Sequence, residues 1–310
     1  MRNSLSHFLC QKSDTADGTK LVFITADLGF SVLEPLALKL GKRFLNVGVA
    51  EALMASMAAA FAQSGFKVFT YSITPFATFR CLEQIRNDIC YHDLDVTIVG
   101  VGAGYAYGYN GPTHHATEDL AAMWALPNMT VYSPADLNEA TDCFERAWTS
   151  KGPKYLRLGK GGEGRLTAPS HIYPESGLRE YFEGSHLTMI GSGNIVSELI
   201  KARQALFLTG IQAQVLSCPI LKPFPGRDLV KAIQCSAVLA VEELNPYGGF
   251  NSRLALEILS QDPHQHRHFA FLSAADTFAK VVGDSAHLRS VSKIDANAIS
   301  SAAQKLIHQD

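Results

Sequence analysis

From about residue 20 the chain alternates short apolar runs with longer amphipathic ones, the pattern of a parallel sheet covered by helices. Leu21-Val22-Phe23-Ile24 reads as a strand, and Asp27-Leu28-Gly29 turns out of its carboxyl end. Ala50 to Gln63 is rich in alanine and methionine, which predicts a helix, and Gly65 stands where it would end in a left-handed cap. A strand is expected from Phe66, a helix over Phe76 to Ile89, and a further strand at Val96-Thr97-Ile98-Val99. Glu118 and Asp119 fall in the first turn of a helix that stops before Pro127, where acids suit the macrodipole. Ser133-Pro134-Ala135-Asp136 reads as a capping box with proline at the first helical position.

The pattern then shifts. Gly159-Lys160-Gly161-Gly162-Glu163-Gly164 and the irregular stretch to Gly184 are polar and glycine-rich, as a linker between domains would be. Beyond it Leu187-Thr188-Met189-Ile190, Ala213-Gln214-Val215-Leu216 and Ala237-Val238-Leu239-Ala240-Val241 recur as strands separated by helices. The expected organisation is an α/β domain over residues 1–165, a linker over 166–184 and a smaller α/β domain over 185–310. A length of 310 residues accommodates this, at about 100–200 residues per domain.

Composition narrows the function classes. The chain is 47% hydrophobic and 18% charged with a formal net charge of −2, so no basic excess points to nucleic acid. No apolar run is long enough to cross a bilayer, and the first residues lack the apolar core of a signal peptide; a cytoplasmic location is expected. The six cysteines are dispersed without a C-x-x-C pair, which fits neither a zinc site nor a disulfide framework and leaves buried thiols. His264, His266 and His268 are close enough for a metal, yet between Asp262-Pro263 and an apolar run they read better as a solvated loop leading into a strand.

The candidate chemistry lies in ordered blocks: Arg43-Phe44-Leu45-Asn46-Val47-Gly48-Val49-Ala50-Glu51, Tyr71-Ser72-Ile73-Thr74-Pro75-Phe76-Ala77-Thr78-Phe79-Arg80, Glu83-Gln84-Ile85-Arg86-Asn87-Asp88, Asn110-Gly111-Pro112-Thr113-His114-His115 and Leu126-Pro127-Asn128-Met129. Together they resemble the thiamin-diphosphate pyrimidine-binding domain of transketolase-like enzymes. Val241-Glu242-Glu243, Asn245 and Gly248-Gly249 are similar to the transketolase C-terminal domain, although Leu244 stands where that family often has histidine.

The resemblance implies roles residue by residue. Glu51 matches the glutamate that activates the cofactor by engaging the far nitrogen of its aminopyrimidine ring, a task that needs a carboxyl group in a dry pocket. Alone it would read as an ordinary acid at a helix start. Ile73, Phe76 and Phe79 match the apolar sleeve around that ring, while their three-residue spacing is equally that of a helix packing its core face. Asp27 matches an aspartate at the cofactor edge of the dimer interface, or is a plain turn residue. His114 matches the histidine that touches substrate hydroxyls and moves protons, and His115 is expected to point elsewhere.

Substrate contacts are expected from Ser31, Asn110, Arg157 and Lys160. Asn110 replaces an aspartate of classical transketolases and keeps hydrogen bonding without the charge. Gly102 stands in place of a phosphate-binding histidine, and Lys160 brings a point charge where the family has an arginine fork. Gly100-Val101-Gly102-Ala103-Gly104 does not fit a dinucleotide fingerprint.

The Gly-Asp-Gly motif that holds metal and diphosphate in the family is missing; Gly283-Asp284-Ser285 has the wrong third residue and lies far along the chain. The resemblance therefore implies half an enzyme: the carboxyl-terminal subunit of a split transketolase. Its cofactor would be thiamin diphosphate, with Mg²⁺ or Ca²⁺ held mainly by an amino-terminal, diphosphate-binding subunit, in an assembly of two copies of each chain acting on a sugar or sugar phosphate. Rivals of the same architecture are a 2-oxo-acid dehydrogenase beta subunit and a 1-deoxyxylulose-5-phosphate synthase fragment. A rival of another class is a non-catalytic partner that regulates a transketolase, a reading kept open by Asn110, Gly102 and Trp124.

Overall fold

The computed structural model describes residues 1–261 and 268–308. The first half of the chain supplies β1 (Leu21–Thr25), β2 (Phe44–Asn46), β3 (Lys67–Ile73), β4 (Val96–Val101), β5 (Thr130–Tyr132) and β6 (Lys154–Leu158). The second supplies β7 (His171–Ile172), β8 (Arg179–Phe182), β9 (Leu187–Gly191), β10 (Ala213–Ser217), β11 (Ile220–Lys222), β12 (Ala237–Val241) and β13 (His268–Leu272). Among the described residues they form two sheets, β11-β5-β6-β4-β3-β1-β2 and β13-β12-β9-β10-β8-β7.

In the first sheet every pairing is parallel except that of β11 with β5. β1 and β4 are buried throughout, which is why they read as largely apolar runs instead of alternating ones, while β6 is equally buried but carries Lys154 and Arg157. The α/β architecture expected from the sequence is the one observed. The helix Glu51–Gln63 packs the small face of Met54, Ala55 and Ala58 into a core shared with Ile85 and Ile89, and Gly65 follows it at φ +86°, as a left-handed cap requires.

Three local expectations are corrected. The helix expected over Phe76 to Ile89 is broken into Thr74–Thr78, a 3₁₀ turn at Phe79–Cys81, a short turn at Leu82–Gln84 and a π turn at Ile85–Cys90. Side chains compete for its carbonyls: Thr78 Oγ1 donates to Thr74 O at 2.8 Å and Cys81 Sγ to Ala77 O at 3.1 Å. The capping box lies three residues later than expected. Asp136 caps the helix Leu137–Thr149 by accepting from the amides of Asn138 and Glu139, and Glu139 reaches back to the Ala135 amide at 2.7 Å. Within the expected linker, His171–Ile172 and Arg179–Phe182 are strands of the second sheet. Polar residues disguised β8, because Glu180 is buried and takes a 2.7 Å hydrogen bond from Gln214.

The two halves are interlocked. β11, from the second, completes the first sheet, and Lys222 Nζ on that strand donates to Trp124 O at 2.9 Å. Asn245 N donates to Thr117 O at 2.9 Å, and Arg289 binds Glu243 at 2.8 Å while Glu243 lies where a Cβ on Gly104 would stand.

No disulfide joins the six cysteines among the described residues, and all but Cys10 are buried; burial pushes the Cys81 and Cys90 thiols up to about 12. His264 and His266 of the histidine cluster lie outside the described residues, and among the described residues no His/Cys/Asp/Glu group could hold a metal. No helix among them is long and apolar enough to cross a membrane.

Candidate active site

The loops at the carboxyl ends of β1, β2, β3, β4 and β6 carry nearly all the candidate residues, the position at which open parallel sheets bind ligands. After β1, Asp27 adopts φ +54° and is exposed; its amide donates to Asn46 Oδ1 at 2.9 Å and its carboxylate receives Asn46 Nδ2 at 3.2 Å. Asn46 also accepts from Gly48 N at 3.0 Å. One side chain thus ties the end of β1 to the turn that delivers Glu51.

Glu51 is the first residue of its helix and is 4% exposed. Its partner is Arg80, whose Nη1 lies 3.3 Å from Oε1 and 3.2 Å from Oε2. The same guanidinium stacks over Phe76, with Cζ 4.0 Å from the ring centre. Phe76 in turn meets the imidazole of His114 edge-on at 5.1 Å. The structure therefore joins Glu51, Arg80, Phe76 and His114, from loops after three different strands, into one continuous group.

His114 closes the 3₁₀ turn Pro112–His114, entered through Gly111 at φ +79°. Its Nδ1 is 3.0 Å from Thr113 Oγ1, and Tyr107 flanks it at 6.3 Å. Partial burial, then the neighbouring His115 and Arg80, hold its pKa below the ordinary 6.5, so the imidazole is neutral at neutral pH and able to take a proton. His115 points away: it is buried against Tyr105, with Nε2 3.4 Å from Gly108 O.

The remaining candidates are spread around this group. Ile73 precedes the Thr74–Thr78 helix and is half-buried, while Phe79 is 42% exposed. Ser31 is exposed at φ +63°, its amide donating to Glu34 at 2.7 Å. Asn110 is exposed at the end of the turn Gly108–Asn110. Lys160 is exposed and lies 5.0 Å over the Tyr107 ring, the ring that flanks His114.

Arg157 corrects the sequence reading. It is 3% exposed; Nε donates to Asp119 Oδ2 at 2.8 Å and Nη2 to Ala116 O at 2.8 Å, while Tyr155, two residues back on the same face of β6, donates to the same carboxylate at 2.6 Å. This guanidinium is committed to holding the loop after β4 on the sheet and is not presented to a ligand. Asp119 lies in the first turn of its helix, as expected, and there it also forms this buried ion pair. Gly283-Asp284-Ser285 is a helix start, with Asp284 accepting from the His287 amide at 2.8 Å.

Sequence reasoning assigned nothing to Arg80, Tyr107 or Asn46. The i,i+4 spacing of Phe76 and Arg80 was the available signal for the first, since an arginine one turn beyond an aromatic can fold back over its ring.

Comparison with known proteins identifies the two domains. Residues 7–162 match the family described as transketolase, pyrimidine binding domain, and residues 179–299 match transketolase, C-terminal domain. The chain is 28% identical over 301 residues to a subunit of the apulose-4-phosphate transketolase of Actinobacillus succinogenes, covering 95% of this chain and 94% of that one. It is 32% identical over 238 residues to the 6-deoxy-6-sulfo-D-fructose transketolase subunit SqwH of Clostridium sp. (strain MSTE9), covering 76% and 74%. Among solved structures it superposes on a split gene transketolase, an inactive beta4 tetramer, with a TM-score of 0.85 and 29% identity, covering 99% of this chain and 97% of that one.

Proposed function

The chain belongs to the transketolase family, whose pyrimidine-binding and C-terminal domains it carries in that order, and from this premise we propose that it is the carboxyl-terminal subunit of a split transketolase. With an amino-terminal, diphosphate-binding partner it transfers a two-carbon ketol unit from a ketose to an aldose. The observation that carries the reading is the group Glu51, Phe76 and His114: a buried carboxylate, a flat apolar face beside it and a neutral imidazole beyond.

These residues fit the ring of thiamin diphosphate. The Arg80 guanidinium, a planar N–H donor, already lies on Glu51 and over Phe76, so the site accepts a flat donor in that position. When bound, the cofactor supplies a nucleophilic carbon and an electron sink for cleaving and forming a carbon–carbon bond. Glu51 would hold the ring nitrogen and share a proton with it. Ile73, Phe76 and Phe79 would exclude water from the ring, and Asp27 would stand at the cofactor edge toward the partner.

His114 accepts and returns the hydroxyl proton of the substrate, Asn110 orients a hydroxyl, and Lys160 with Ser31 meets an anionic end such as a phosphate. The metal, Mg²⁺ or Ca²⁺, is assigned to the partner's domain. Exposed Phe30 follows β1, Val49 and Leu53 flank Glu51 in sequence and Phe79 follows Phe76, at 69%, 73%, 51% and 42%, and these apolar side chains support closure of the site by another chain. By analogy with the inactive beta4 tetramer, this chain alone self-associates without activity, and the working assembly is a heterotetramer. The six mostly buried thiols, unlinked by disulfides among the described residues, suit a reducing, cytoplasmic setting.

The deciding experiment is calorimetry of thiamin diphosphate with Mg²⁺, on this chain alone and mixed with a candidate diphosphate-domain subunit, followed by a ketol-transfer assay. Binding and transfer in the mixture support the proposal, and absence of both overturns it in favour of a non-catalytic partner.

A further inference from the structure

Arg80 takes up two recognition surfaces at once. Its Nη1 spans both oxygens of Glu51, at 3.3 and 3.2 Å, and its guanidinium covers the face of Phe76 at 4.0 Å. An aminopyrimidine ring held by this site needs the same two things, a carboxylate for a ring nitrogen and an aromatic face for its plane. Two flat groups cannot share them.

We propose that Arg80 is a resident stand-in for the cofactor ring: in the chain without cofactor it occupies Glu51 and Phe76, and it must swing out before the ring can bind. The inference rests on the reading of Glu51 as the cofactor glutamate.

Physical chemistry favours such an occupant. Glu51 is 4% exposed, and a carboxylate withdrawn from water without a counter-charge is costly. Its helix offers no side-chain cap, since Ala50 precedes it. Arginine suits a temporary role because its planar, weakly hydrated guanidinium can pair with a carboxylate and stack on a ring together. The side chain is also free to leave. It is 48% exposed and projects from the 3₁₀ turn Phe79–Cys81, at the break in the expected helix, with solvent on its outer side. In the free chain the guanidinium thus keeps Glu51 and Phe76 in ring-binding register. On cofactor binding it moves outward, and the positive charge it carries away from Glu51 stays near the mouth of the site.

The test is cofactor affinity, measured by calorimetry with thiamin diphosphate and Mg²⁺ on this chain assembled with its diphosphate-domain subunit. Arg80→Ala removes the competitor, so its Kd falls by about three- to tenfold, the range expected for one half-exposed ion pair and cation–π contact. Arg80→Lys keeps the charge on Glu51 but gives up the planar contact, and its Kd lies between the two. On this chain alone, Arg80→Ala and Glu51→Gln lower the Tm less together than the sum of their separate effects, because each breaks the same pair. If wild type binds and both Arg80 variants bind equally or more weakly, the stand-in is overturned and Arg80 is a cofactor contact or a bystander. If wild type with its partner binds no cofactor, the functional reading falls and the inference with it.

Discussion

Phe76 and His114 meet edge-on at 5.1 Å, one from the loop after β3 and the other from the loop after β4. The contact fixes the imidazole beside the face on which the cofactor ring is proposed to lie, instead of leaving it to solvent. It also contributes the apolar surroundings that keep His114 below its ordinary pKa.

His114→Ala should slow ketol transfer by about 10²–10³-fold while leaving thiamin diphosphate affinity within about twofold. Steady-state kinetics and calorimetry on the same assembled sample check this. Wild-type kinetics in the variant would remove His114 from the mechanism.

The pH profile follows from the same residue. A base must be neutral to take a proton, so the rate falls as pH drops through the His114 pKa, and that acid limb lies below 6.5. Arg80 is among the charges that depress it, so Arg80→Ala should move the limb upward. A limb unmoved or shifted down in a kcat/KM profile would contradict this account.

Glu51→Gln should abolish turnover, by at least about 10³-fold if proton sharing with the ring is lost, with the circular dichroism of the fold unchanged. The side chain keeps its shape and one acceptor oxygen toward Arg80, so collapse of the fold is not expected. Ketol transfer at wild-type rate would sink the assignment.

Arg157 and Lys160 should separate cleanly. Arg157→Ala leaves Asp119 charged, buried and without its counter-ion, which destabilises the protein by about 3–5 kcal/mol, read as a lowered urea midpoint. Lys160→Ala should leave the midpoint in place and raise KM for an anionic substrate by about two- to fivefold. A stable Arg157→Ala chain with a raised KM would restore the role first expected of Arg157.

Glu139 provides a stability prediction independent of catalysis. It is fully buried, and burial raises its carboxyl from 4.5 to about 7 despite hydrogen bonds from the Ala135 amide and Tyr181. The folded protein retains the proton between those two values while the unfolded chain releases it. Stability is therefore fully present below pH 4.5 and declines as pH rises to about 7, by up to about 3 kcal/mol for this group. Glu139→Gln should flatten that slope in urea unfolding at pH 5 and pH 8; an unchanged slope would show that Glu139 does not titrate there.

Much of this was legible in the amino-acid order. Strands buried on both faces announce themselves as uninterrupted apolar runs, so β1, β4, β9 and β12 were readable. Glu51 and His114 were readable as candidates because glycines and a proline fix the turns that deliver them. What escaped depends on partners distant in sequence. Periodicity cannot show that Thr78 and Cys81 would claim carbonyls and break a helix. Nor can the spelling of β6 tell which of Arg157 and Lys160 faces inward, because that is decided by Asp119, 38 positions away. β8 was hidden because its buried charges are satisfied by Asp142 and Gln214, from other elements.

The return of β11 to the first sheet has a genetic consequence. The strand lies beside β5, the edge that the first half would otherwise leave open. A break in the coding sequence near residue 165 would produce a half with an exposed strand edge, ready to pair with any other chain in its surroundings. A division inside this pair of domains would strip β5 of its antiparallel neighbour, so the two domains are expected to stay together on one chain.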